Sequence, residues 1–394
     1  MINMNIIFIG QIYFDGQIEY FSLLGSRIDI SAHTFQHALL NGINTNDHSI
    51  TVISAPSVSH YPKMRKLHID KTQQMHDGIC QQSLSFINLP GFKHITKIIS
   101  LRKHLKKILS DGKDYHIVVY GMHSPFLLGL PGIKSRHKSC LIVPDLPEYM
   151  SEKRNIIYRI AKKIDRKIIN WSLSYIDSFI LFSPLMTERI VVNNPYDVIE
   201  GLYQAPLKQP QPAKEILKTV LYTGNLDSRY GIMTLLEAFH AIEDHTYRLW
   251  LCGDGNSVDD IRRYEHDDNR IKYWGTLPRD KVLTLQKQAT MLVNPRNSSE
   301  EYTRYSFPSK TMEYLASGTP TIMAHLSSIP KEYDPYIFYL EDESSEGLKQ
   351  KILEVGAIPQ SELDRFGEQA AQFILTKKNN HSQANKLISL LKAI

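Results

Sequence analysis

Short β-branched runs alternate with helical patterns along the whole chain, and this alternation admits few folds. Strands that are apolar on both faces must be covered on both, and a helix between consecutive strands makes those strands parallel. In the first half the expected strands are "NIIFIG", "SITVISA", "SLSFINL", "HIVVYGM", "SCLIVPD" and "DSFILFS". In the second half they are "TVLYTGN", "YRLWLCG", "IKYWGTL", "TMLVNPR", "GTPTIMA" and "IFYLED", with helices such as "IMTLLEAFHAI" and "DKVLTLQKQA" between them. The fold class is α/β with doubly wound parallel sheets. A length of 394 residues suggests two domains, at roughly 100–200 residues each. The break falls in "YQAPLKQPQPAKE", residues 203–215, where prolines at 206, 210 and 212 interrupt the pattern. The expected division is a first domain over 1–204, a linker over 205–217 and a second domain over 218–374, leaving 375–394 beyond it. Two such domains facing each other would form a cleft at the carboxyl ends of their strands, where open α/β sheets bind ligands.

Composition narrows the function. Hydrophobic residues at 42% and charged residues at 22% are globular values. A net charge of +5 suits phosphates or an acidic membrane face but falls short of a dedicated nucleic-acid binder. Cys80, Cys140 and Cys252 lie far apart without a CxxC pair, which fits a reducing compartment, so a cytoplasmic location is expected. The apolar start "MNIIFIGQIYF" lacks a basic region and a cleavage site and reads as a first strand rather than a signal. No apolar run reaches the ~20 residues that span a bilayer.

The sharpest local signal is "YSFPSKTMEYLASGTPTI", residues 305–322. Pro308 suits the first turn of a helix, and Ser306 or Ser309 could cap its amides. A helix N-terminus attracts anions, and Lys310 adds a full charge within one turn, an arrangement suited to phosphate. Glu313 follows on the same face, where its carboxylate could hold a ribose diol. A capped surface helix with a Lys310–Glu313 ion pair would satisfy the same residues. The glycine turns tip the balance. In "YTGNLDSRYG" and "LCGDGNS", Gly224, Asn225, Gly253 and Gly255 follow neighbouring strands and let a ligand approach the backbone. With Arg229 and Lys310 nearby, they point to a nucleotide diphosphate.

These residues resemble the nucleotide-sugar glycosyltransferases of glycosyl transferases group 1, which have the two-domain GT-B fold. The stretch around Glu313 corresponds to that family's Glu-x7-Glu segment, with Glu313 at the ribose-holding second Glu and "ASGTPTI" as the continuation. The likeness runs through most of residues 219–345. It departs at the first Glu, where Tyr305 stands, as in a capsule and surface-polysaccharide branch, and at the family's Arg and Lys, which map to Asn225 and Tyr230. Arg229 would then supply charge together with Lys310. The resemblance implies donor contacts at Tyr305, Ser306, Phe307 and Ser309, and a base pocket around Gly275 and Thr276. It also implies a role near the donor sugar for His123 in "IVVYGMHSPF", and matches "LIVPDLPEYM" with Asp145. The loop Gly10 to Gly16, with Tyr13 and Asp15, falls where the family binds acceptor and phosphate. His123 as a structural hydrogen-bonder and the loop as a plain βα turn are the alternatives. A last helix in "SQANKLISLLKAI" would pack back on the first domain.

The resemblance further implies transfer with retention, in which the leaving diphosphate takes the acceptor's proton. No cofactor and no metal are then expected, only a UDP- or GDP-linked sugar donor; no two aspartates have the D-x-D spacing used elsewhere for a divalent ion. The acceptor would be a saccharide or lipid-linked saccharide of capsule or O-antigen assembly. Residues 152–171 put Ile156, Ile160, Ile164, Ile168 and Trp171 on one stripe among seven Lys or Arg residues. That pattern fits either a membrane-surface helix or a sheet-covering helix with its stripe inward. "KIISLRKHLKKIL", residues 97–109, offers a second basic surface. Peripheral contact with the inner face of the plasma membrane is the expectation, and nucleic acid is not a partner. A non-catalytic companion that binds nucleotide-sugar is the main alternative. An epimerase or phosphorylase would need other signatures, and no GxGxxG after a first strand supports a dehydrogenase.

Overall fold

The computed structural model describes residues 3–43, 47–130, 136–146, 156–206 and 212–394. The chain forms two compact units, one of residues 1–202 with 380–394 and the other of residues 203–379. The first is thus closed by residues 380–394, five positions later than the expected 375, because one helix runs unbroken to Lys377.

The first unit is built on β1 (Met4–Gly10), β2 (His48–Ser54), β3 (His68–Ile69), β4 (Gln73–His76), β5 (Ile79–Ser83) and β6 (Phe86–Ile87), followed by β7 (Tyr115–Tyr120), β8 (Lys138–Val143), β9 (Ser178–Leu181) and β10 (Tyr196–Val198). Eight of these make one sheet in the order β10-β9-β8-β7-β1-β2-β5-β4, parallel except for β4 at the edge. The central strand β1 is buried on both faces, which is why its sequence is a continuous apolar run. Its helices are α1 (Gln17–Leu23), α2 (Ile30–Gly42), α3 (Phe92–Ile108), α4 (Ser124–Leu127) and α5 (Ile156–Leu173). The run "SLSFINL" is not a strand of this sheet. That place is taken by β5, "ICQQS", which shares only Ser83 with the run; beyond it, Phe86 and Ile87 pair with β3 in a separate ribbon. The polar Gln81 and Ser83 hid β5 from periodicity, although both are buried.

The second unit contains β11 (Lys218–Asn225), β12 (Tyr247–Asp254), β13 (Ile271–Tyr273), β14 (Met291–Asn294), β15 (Thr321–Ala324) and β16 (Phe338–Leu340). Its sheet is parallel in the order β13-β12-β11-β14-β15-β16. Numbered within the unit this is 3-2-1-4-5-6, whose topological switch point lies between β11 and β14. Around it stand α6 (Ile232–His240), α7 (Val258–Asp267), α8 (Arg279–Gln288), α9 (Ser309–Ala316), α10 (Ser345–Ala357) and α11 (Gln360–Lys377). The last helix, α12 (Asn380–Ala393), belongs to the first unit, where Ala384, Leu387 and Leu391 join the core beneath α2.

Candidate active site

In the second unit β11 and β12 end in register, with Gly224 opposite Gly253 and Asn225 opposite Asp254. The two glycines have φ of 142° and 143°, a region that side chains disfavour. Space also requires them. A Cβ on Gly253 would overlap the Gly224 carbonyl, and one on Gly224 would strike the Lys310 side chain, with Nζ 3.4 Å from its position. The turn glycine of one motif therefore makes room for the lysine of another, 86 residues later in the sequence.

Helix α9, which carries Lys310, is tied to β11 at two consecutive positions. Tyr314 is fully buried, and its hydroxyl accepts from the Thr223 N–H at 2.8 Å and donates to the Thr223 carbonyl at 3.0 Å. Glu313 Oε1 accepts from Gln286 Nε2 at 2.8 Å, and the same amide reaches Thr223 Oγ1 at 3.2 Å. Lys310 Nζ stands 3.9 Å from Glu313 Oε1, a loose pair that leaves the ammonium its donors. The sequence expectation that a serine caps α9 is corrected: Pro308 is the N-cap and no side chain bonds the first amides. Ser309 is exposed, while the Ser306 carbonyl accepts from Ser328 Oγ at 3.1 Å.

Other expected donor contacts fall differently. Tyr305 and Phe307 are buried; Phe307 lies in the core 5.5 Å from the Tyr333 ring, because large apolar rings gain more from burial than from a solvated site. Arg229 bonds Asp227 Oδ1 through Nε at 3.0 Å, so its charge is shared with a carboxylate of its own turn. A second guanidinium, that of Arg296, lies 4.7 Å over the neighbouring Tyr230 ring. Gly255 packs against the backbone of Leu226. Gly275 has φ of 67° and accepts from the Gly253 N–H at 2.9 Å, with Thr276 exposed beside it.

In the first unit, the loops after β1 and β7 flank that sheet's own switch point. Gly10 gives room to Gln36, whose Oε1 accepts from the Gln11 N–H at 2.9 Å. Tyr13 is buried, its hydroxyl donating to the Ser57 carbonyl at 2.5 Å and accepting from the Asp29 N–H at 3.3 Å. Of this loop, then, Asp15 and Gly16 remain accessible; they line a cavity of about 180 Å³ with His33, His37 and His76, and Asp15 stands 3.6 Å from His76 Nδ1. Asp145 follows β8, where desolvation and then the Asp29 carboxylate raise its pKa. His123 is the N-cap of α4, with its ring over Gly121. Burial, then Lys97 and His94, push its pKa down to about 4, so it is a neutral imidazole.

Sequence reasoning missed Gln286, which positions Glu313; the available signal was a polar residue next to Leu285 in the buried part of α8. It also misread Lys97, expected on a basic surface but only 6% exposed. Of the two placements left open for the α5 stripe, the inward one is not found: Ile160, Ile164 and Trp171 are at least half exposed, and Ile169, Ser172 and Leu173 face the protein instead. Lys153 and Arg154 of that segment lie outside the described residues.

Residues 217–357 match the glycosyl transferases group 1 family profile. The matched stretch contains Gly224, Lys310, Glu313 and Gln286, the residues joined at the end of β11. No curated protein matches the chain by sequence. Solved structures share the fold along the whole chain. Sucrose-phosphate synthase from Thermosynechococcus elongatus aligns with a TM-score of 0.65 at 15% identity, covering 99% of each chain. A TarM mutant from S. aureus in complex with fondaparinux, alpha-GlcNAc-glycerol and UDP aligns at 0.64 and 11% identity, covering 98% of this chain and 100% of that one. Anabaena HepE in complex with UDP aligns at 0.61 and 12%, covering 99% and 100%. The fold is GT-B, two Rossmann-like units, and with the family match it supports a nucleotide-sugar glycosyltransferase. Among the described residues no group of three His, Cys, Asp or Glu could hold a metal ion, and no helix is long and apolar enough to cross a membrane.

Proposed function

We propose that the protein is a retaining glycosyltransferase that moves a sugar from a UDP- or GDP-linked donor to a saccharide or lipid-linked saccharide of surface-polysaccharide assembly. The observation that carries this reading is the meeting of Lys310, Glu313 and Gly224 at the switch point of the second unit. The donor diphosphate would lie across the Gly224 and Gly253 turns, its charge met by Lys310 and the uncapped amides of α9. Glu313, oriented by Gln286, would accept from the ribose hydroxyls. UDP in the TarM and HepE complexes is consistent with such a donor.

In the reaction the bond from the anomeric carbon to the diphosphate oxygen breaks, the acceptor oxygen bonds the same face of that carbon, and the acceptor's proton passes to the diphosphate. The protein supplies position and preorganised charge, so cationic groups rather than a nucleophile decide the rate. No cofactor or metal enters this proposal.

Peripheral contact with an anionic membrane from the cytoplasmic side fits the first unit. Ile160, Ile164 and Trp171 on α5 and Phe92, Ile95 and Ile99 on α3 are exposed, and basic side chains accompany both sets. Calorimetric titration with UDP, GDP, TDP and CMP, followed by donor turnover with the bound nucleotide's sugar, tests the reading. Binding of one diphosphate that Lys310→Ala and Glu313→Ala both weaken supports it. Binding without turnover on any acceptor would favour the companion protein, and no binding at all would overturn the donor site.

A further inference from the structure

A second charged site lies wholly within the first unit, at the carboxyl ends of β1, β2 and β7. A cavity of about 230 Å³ is lined there by Gln11, Ser57, His60, Lys93, Lys97 and His123, among others. Its lining holds two lysines and three histidines, His94 being the third, and no Asp or Glu. Lys93 and Lys97 are 7% and 6% exposed, one turn apart on the inward face of α3. Lys93 Nζ donates to the Val58 carbonyl at 2.5 Å and Lys97 Nζ to the Ala55 carbonyl at 3.4 Å. An ammonium has three donors, and these bonds use one on each. Both also lie against the Phe86 ring, at 5.8 and 4.5 Å.

Among the described residues neither lysine has a carboxylate within ion-pair distance. Burying two like charges without a counter-ion is costly, and such a pair ordinarily loses protons or acquires an anion. The first tendency is visible: burial holds Lys97 down to about 7, with Lys93 adding to the effect, and Lys93 down to about 8. A void this size with polar walls is room for more than one water, whose share of liquid volume is about 30 Å³.

We propose that this cavity is a phosphoryl-binding site, in which Lys93 and Lys97 grip the oxygens of a phosphate group and His123 closes one wall. A doubly charged group matches two lysines in a way that a single carboxylate does not. The phosphoryl group is either a free phosphate ion or part of a phosphorylated substrate; assigning it to the acceptor rests on the glycosyl-transfer reading, while the site itself does not. Lysines that merely bond carbonyls would show neither phosphate affinity nor a proton linked to it.

The test is calorimetry of the full chain at pH 8.5 with inorganic phosphate, a hexose phosphate and UDP, in two buffers of different ionisation enthalpy. Phosphate should bind with net proton uptake, because the anion raises the pKa of lysines that are partly neutral at that pH. The groups facing the anion are Lys93, His94 and Lys97 on α3, His60 after β2 and His123 after β7, with Asp165 acting on His94 from α5. Lys93→Met and Lys97→Met should each weaken phosphate at least about tenfold while leaving UDP affinity in place; Lys310→Ala should do the reverse. Tighter hexose phosphate than inorganic phosphate would assign the group to a substrate, and equal affinity would assign it to the free ion. No phosphate binding by the wild type, or binding unchanged in both lysine variants, overturns the proposal. If the variants do not fold, wild-type binding without proton uptake overturns it as well. Absence of UDP binding would break the donor reading and leave this result standing.

Discussion

The two units solve the same problem, placing charge at the carboxyl ends of a parallel sheet, in opposite ways. In the second unit the groups come from turns with a local signature: Gly224 and Gly253 end paired strands, and Lys310 and Glu313 share one helix turn. In the first, Gln11, Val58, Lys97 and His123 come from four separate elements with no spacing to announce them. The charges also differ in state. Lys310 is partly exposed and loosely paired, whereas Lys97 is buried and held near 7. A group built into a turn can be read as a motif; a group assembled by the fold is seen only once the fold is known.

The comparison breaks first at Lys310. Under the proposed reading Lys310→Ala removes the main charge facing the diphosphate and should lower kcat by about 100-fold or more, measured as donor turnover with the fold checked by circular dichroism. An unchanged kcat would move the chemistry elsewhere. Gly224→Ala attacks the same lysine without touching its charge. The new Cβ meets the lysine stem at a φ of 142°, so we expect a stability loss of about 1–3 kcal/mol in urea and roughly tenfold weaker nucleotide.

In the first unit the sharper test is pH. The unfolded Lys97 titrates near 10.5 and the folded one near 7, so between those values the unfolded state binds more protons and stability rises with pH. The buried charge is half present at pH 7 and complete only well below it. Lys97→Met should therefore raise Tm at pH 7 and flatten the rise toward pH 10; an unchanged slope in thermal melts would show that Lys97 is not charged and buried. His123 has the same sign at lower pH: its contribution is present above about 6.5 and is lost as pH falls toward 4. A smaller effect belongs to Gln286→Leu, which frees the Glu313 carboxylate and should raise the donor KM about fivefold with kcat little changed. Trp171→Ser should leave turnover on a soluble acceptor unaltered while reducing co-sedimentation with anionic vesicles, and no salt-sensitive vesicle binding by the wild type would remove the membrane reading.

Much of the architecture was legible because parallel strands announce themselves. "NIIFIG", "TVLYTGN" and "YRLWLCG" are apolar on both faces and became β1, β11 and β12. β5 was not legible, since Gln81 and Ser83 break the apolar run yet are buried in the sheet. The helix beginning after Pro308 was expected, but its cap was not, because capping depends on where the preceding residues go and Tyr305 and Phe307 go into the core. Helix α5 shows the limit of periodicity. An apolar stripe was visible, but the helix turns Ile169 and Leu173 inward and leaves Ile160, Ile164 and Trp171 outside. The stripe specifies a face, and only the neighbouring elements decide which face is covered.

Helix α12 gives the first unit an unusual schedule. Its Leu387 and Leu391 sit in the core with Met4 and Ile6, its His381 Nδ1 lies 3.1 Å from the Gly42 carbonyl, and its Lys386 Nζ donates to the Val198 carbonyl at 3.2 Å. During synthesis from the N-terminus the first unit emerges early but lacks this piece until residues 380–394 leave the ribosome. The second unit is complete in sequence at residue 379, before the first has the helix that fills its groove. The half of the chain made first is the half that matures last, because the groove beneath α2 is filled only by residues 380–394.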